Sequence, residues 1–110
     1  MKTDLIGSII FFLLASSLFS YGCGTSGKNF DETKFNKIIA GTTTKKEIHH
    51  MFGAPFKKGI QNGYPVWTYE YNYYNSLGND ITKDIVIVFD SKAVVKSRQM
   101  MTNRPEAIKQ

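Results

Sequence analysis

An apolar run, Leu5 to Phe19, stops just short of Cys23, the only cysteine in the chain. That pairing constrains everything after it. One thiol cannot close a disulfide within the chain, so a stapled secreted scaffold is excluded. The run is shorter than the ~20 apolar residues that hold a spanning helix in a bilayer, and small residues interrupt it. Met1-Lys2 supplies a positive start, and Ser20-Tyr21-Gly22 leads into the cysteine. Residues 1–22 therefore read as a secretory signal that is removed, leaving the rest to fold outside the cytoplasm.

A small residue directly before a cysteine, after such a core, resembles a bacterial lipobox. The resemblance implies cleavage between Gly22 and Cys23, a diacylglycerol group on the Cys23 thiol and an N-acyl chain on the freed amine. Each buried methylene adds ~0.8 kcal/mol, and two or more chains make anchoring stable. No further cofactor is expected. An uncleaved anchor, or a signal cut elsewhere with Cys23 as a bystander, are the alternatives. Gly24 stands where Asp retains enterobacterial lipoproteins in the inner membrane, so the expected location is the outer membrane, facing the periplasm. Small polar residues follow, and 23–29 is expected to be a flexible tether.

What remains suits one small domain, expected over 30–100, with a loose tail at 101–110. A chain this short has little protein with which to surround a deep cleft, which argues against an enzyme and a small-molecule substrate. The net charge of +5 comes almost wholly from lysines spread along the chain. Nucleic-acid binders cluster such charge on one element; only Lys45-Lys46 and Lys57-Lys58 are paired here, so no nucleic acid is expected. A solvated surface with weak attraction to anionic lipid headgroups fits better.

Two helices are expected first. Asp31 to Ile39 places Phe35, Ile38 and Ile39 at helical spacing, with Gly41 as the stop. Thr44-Lys45-Lys46-Glu47 fits a capping box. Ile48, Met51 and Phe52 give that helix an apolar face, and Gly53 with Pro55 ends it. Strands follow. From Val66 to Tyr73, Trp67 and three tyrosines alternate with smaller or polar residues, a period of two. Asn75 to Asp80 is a loop. Asp84 to Phe89 is apolar on both faces, and a third strand runs from Ala93 to Ser97 and on toward Met100. The expected class is α+β: two N-terminal helices packed on a three-stranded antiparallel meander, a two-layer sandwich. Phe35, Ile38, Ile48, Met51, Phe52, Trp67, Tyr69, Ile85, Ile87 and Val94 are the expected core.

Chemistry-bearing motifs are sparse. His49 and His50 are adjacent, so on a helix they point about 100° apart and cannot grip one metal. No serine elbow or phosphate loop is present, and carboxylates are scattered. The Trp67–Tyr73 stripe is the inner face of a sheet, or a contact patch where it extends past the helices. The exposed face of the sheet and the Asn75–Asp80 loop are the expected partner surface, with Tyr71, Tyr73, Asn75, Leu77 and Asn79 as the expected partner-binding residues.

Three segments together resemble a known family: Gly41-Thr42-Thr43-Thr44-Lys45-Lys46-Glu47-Ile48, Phe52-Gly53-Ala54-Pro55 and Trp67-Thr68-Tyr69. They are similar to the SmpA/OmlA (BamE-like) family of small outer-membrane lipoproteins, over roughly residues 30–98. The resemblance implies two helices on three strands and a non-catalytic role, with an envelope protein as partner: an accessory of the machine that inserts β-barrel proteins into the outer membrane. A tethered periplasmic binding or inhibitor module is the alternative.

Overall fold

Aromatic and β-branched residues crowd the second half of the chain, and there the backbone is extended. The computed structural model describes residues 24–105. Its elements run in the order β1 (Gly24–Gly27), a 3-10 helix (Glu32–Lys37), α1 (Lys45–Phe52), β2 (Lys57–Gln61), β3 (Tyr64–Tyr74), β4 (Ile81–Phe89) and β5 (Val95–Thr102). All five strands join one antiparallel sheet in the order β1-β3-β4-β5, with β2 also on β3.

This corrects the expected architecture of two helices on a three-stranded meander. The meander exists as β3–β4–β5, but two further strands extend the sheet. β1 and β2 lie end to end along the free edge of β3: β1 pairs with Tyr71–Tyr74 and β2 with Tyr64–Thr68. Gly24–Gly27 is thus an edge strand and no free tether. At the end of β1 Gly27, whose φ is +78°, comes so close to β3 that a Cβ there would collide with the Glu70 carbonyl oxygen. Only glycine permits that approach. Asn62 and Gly63, both at positive φ, join β2 to β3 in the tight turn such hairpins favour.

The helical layer is smaller than expected. The first segment is a 3-10 helix of six residues, with Ile38 N–H donating to the Phe35 carbonyl. Asp31 caps it by accepting from Thr33 N–H. It buries Phe35, and Ile38 just beyond it, but leaves Ile39 58% exposed. α1 matches its expected start and stop. Thr44 accepts from Glu47 N–H, the Glu47 carboxylate accepts from Thr44 N–H, and Gly53 ends the helix at φ 80°.

Both helical pieces pack on the face formed by alternate residues of β3, β4 and β5. The core joins Phe30, Phe35, Ile38, Ile48, Phe52, Trp67, Tyr69, Ile85, Ile87, Phe89 and Val95, with Met51 partly buried against it. Val95, and not Val94, points inward. The turn Asp90–Ala93, held by Asp90 Oδ1 accepting from Lys92 and Val94 N–H, starts β5 later than expected, and the register shifts at Val88/Phe89. The Gly-Thr-Thr-Thr stretch covers the start of β5: Gly41 N–H donates to Val95, Val95 N–H to Thr43, and Lys45 N–H to Ala93. At the other end Met101 and Thr102 complete β5, and Asn103 bonds back to Thr82 and Asp80, so the tail begins later than residue 101.

Candidate functional site

β4 sends adjacent side chains to opposite faces of the sheet. Lys83 points to the helical face and is 6% exposed. Its ammonium donates to the Phe30 carbonyl and to Glu32 Oε2, the latter at 2.6 Å, and lies over the rings of Phe30 and Tyr71. A buried cation with a carboxylate, a carbonyl and two aromatic faces is compensated. It clamps the segment after β1 onto the sheet. Burial pushes the Glu32 carboxyl up, but the Lys83 hydrogen bond and charge, with a backbone hydrogen bond, leave it below its ordinary value.

Asp84, the next residue, points to the opposite face. The described helices both lie on the other side, so this face is open. Across the strands Asp84 is opposite Glu70. Burial, then repulsion from Glu70, raises the Asp84 carboxyl above its ordinary value, with Lys57 pulling the other way. One Asp84 oxygen, Oδ1, is buried with no hydrogen-bond partner. Glu70 accepts from the Asn72 amide. Lys57, Thr68, Val86, Gln99 and Met101 complete a groove of about 250 Å³ around the two acids. Sequence reasoning missed this pair. The only signal was an acid at a polar position of each strand, and the register that brings them together is not visible in the sequence.

The five expected partner-binding residues divide. Tyr71 and Tyr73 are on the helical face, Tyr71 half-buried under Lys83 and Tyr73 opposite Thr25 of β1. They belong to the packed side and do not make an open patch. Asn75, Leu77 and Asn79 sit in the β3–β4 loop, which has a built geometry. Asn75 N–H donates to Asp80 Oδ1, Leu77 N–H donates to Asn75 Oδ1, and Gly78 N–H donates to the Asn75 carbonyl. Leu77 projects from it, 83% exposed. Gly22 and Cys23 lie outside the described residues.

At the opposite end of the sheet, Lys45 and Lys58 flank the Trp67 ring, and Lys96 lies over Tyr64. These cations cover aromatic surface that would otherwise meet water. His49 and His50 are exposed on α1. Among the described residues there is no group of three or more His, Cys, Asp or Glu that could hold a metal, and no helix long and apolar enough to cross a membrane. The corner and strand motifs meet in space: Tyr69 donates its hydroxyl to the Gly53 carbonyl at 2.8 Å, and burial pushes that phenol well above its ordinary value. No known family matches the chain, and no curated protein or solved structure resembles it.

Proposed function

We propose that this chain is an outer-membrane lipoprotein whose folded part is a non-catalytic module that binds another envelope protein through the open face of its sheet. One observation carries the reading. The open face holds a carboxylate, Asp84, with a buried oxygen lacking a partner in its own chain, beside a second acid and the half-buried Val86. A partner that brings a cation or N–H donor and apolar contacts would complete it. Removal of Asp84 from water costs free energy until such a donor arrives.

The signal-like segment ending at Cys23 supports lipid anchoring. The SmpA/OmlA-like motifs favour the barrel-assembly machine as the partner. Their physical roles here are the α1 cap, the edge of β5 and the Gly53–Tyr69 bond, so they describe a scaffold more than a contact.

Photo-crosslinking in cells tests the proposal. A crosslinker at Gln99 is expected to capture a subunit of the barrel-assembly machine, and one at exposed Asn36 is not. Capture of a different envelope protein, with barrel assembly intact after deletion, replaces that partner with the tethered-module alternative. Equal background at both positions overturns the open face as the binding surface. Labelling with a fatty-acid analogue, lost in Cys23→Ala, is the expected result for the anchor.

A further inference from the structure

The anchored reading has a geometric consequence at the β3–β4 loop. β1 begins at Gly24, one peptide bond after Cys23 in the sequence. Gly24 is opposite Tyr74, the last residue of β3. β1 is then secured by backbone pairing, by the Gly27 approach to Glu70, and by Lys83 clamping Phe30 and Glu32. Hence the strand secured to the sheet begins at the residue that follows Cys23 in the sequence.

Past Tyr74 the chain continues into the loop tip. Leu77 is three residues further on, so at about 3.3 Å per residue it reaches at most about 10 Å beyond the level of Gly24. That matches the depth of about 5–10 Å at which apolar side chains settle at the boundary of headgroups and acyl chains. Leu77 is 83% exposed and Tyr74 is 50% exposed. A tyrosine with its apolar ring and polar hydroxyl suits the interface. Arg104 follows Asn103, whose amide donates to the Asp80 carbonyl at the loop's end, so a cation is held at the same end of the molecule.

We infer that the β3–β4 loop tip, Leu77 with Tyr74, is a second membrane contact that seats the domain on the lipid surface beside its acyl anchor. The inference rests on acylation of Cys23. It sets the orientation of the domain: the sheet stands on its loop end, and the Trp67–Lys45–Lys58 end points away from the bilayer.

The test uses the mature acylated protein in phosphatidylethanolamine–phosphatidylglycerol vesicles carrying nitroxide-labelled acyl chains. Leu77→Cys and Ile60→Cys variants each carry a thiol-reactive fluorophore; acylation occupies the thiol of Cys23. Ile60 is 79% exposed in β2, opposite Pro65 at the far end of the sheet. The expected result is several-fold stronger quenching at 77 than at 60, with Trp67 emission unchanged in both variants. The same pattern is expected from Asn79→Cys, with weaker quenching than at 77. Equal quenching at 77 and 60 in protein whose residue 23 carries the acyl mass overturns this inference alone. An unmodified residue 23 by mass spectrometry overturns the anchored reading beneath it.

Discussion

The two faces of one sheet solve the same electrostatic problem in opposite ways. Lys83 and Asp84 are neighbours on β4. The lysine points under the helical layer and finds Glu32, the Phe30 carbonyl and two rings. The aspartate points to the open face, where it meets another acid and keeps a buried oxygen unpartnered. Glu32 is held below its ordinary titration range and Asp84 above it. One face has its charge paired, whereas the other keeps Asp84 Oδ1 without a hydrogen-bond partner. A fold of this size has little stability to spare, so the unpartnered oxygen is a cost that the helical face avoids.

Substitutions on the two faces should separate them, beginning with the apolar pair Ile87 and Val86. Ile87→Ala should lower unfolding free energy by about 3–4 kcal/mol in urea denaturation, since it empties fully buried volume. Val86→Ala, one residue away on the open face, should cost about 1 kcal/mol or less; equal losses would mean that the open face is packed after all. Lys83→Ala should cost about 3 kcal/mol by stranding Glu32 and the Phe30 carbonyl, with Lys83→Met less harmful because it retains the stem. Gly27→Ala should cost about 2 kcal/mol through its positive φ and its approach to Glu70. Amide exchange should then show β1 released while β3–β5 stay protected.

The smallest effects are in pH dependence, and their signs differ. Glu32, lowered on folding, contributes stability that is present above its ordinary value of 4.5 and lost as pH falls through its folded value. Glu32→Gln should therefore flatten the acid limb of a stability profile. Asp84, raised on folding, does the reverse: the native state binds the proton more tightly, so stability falls as pH rises from its ordinary value of 3.8. Asp84→Asn should raise the denaturation midpoint at pH 7, and the gain should vanish below that value. A gain that persists in acid would show that the carboxylate is not the cause.

Which parts of this were readable in advance follows from the range of the forces involved. The α1 cap, its glycine stop and the alternating aromatic strand are local, and Thr44, Glu47, Gly53 and Trp67–Tyr73 show them directly. The first helical segment has too few anchoring residues for a longer α-helix, and the Asp31 cap with i→i+3 bonding wins. β2 is exposed along its whole length and has no apolar period; the Asn62-Gly63 turn was its one legible sign. β1 has the composition of a linker and becomes a strand only because β3 offers an unpaired edge. The Glu70–Asp84 pair depends on strand register and the loop-end placement of Leu77 on β1, and neither is encoded near the residues concerned.

The connectivity of β1 also imposes a schedule. β2 to β5 join through short turns, so their hairpins close cheaply and early, whereas β1 must return across the helices to find Tyr71–Tyr74. Loop closure of that length delays its pairing. Late pairing leaves the Tyr71–Tyr74 edge of β3 open while the remainder folds, and β1 locks in last.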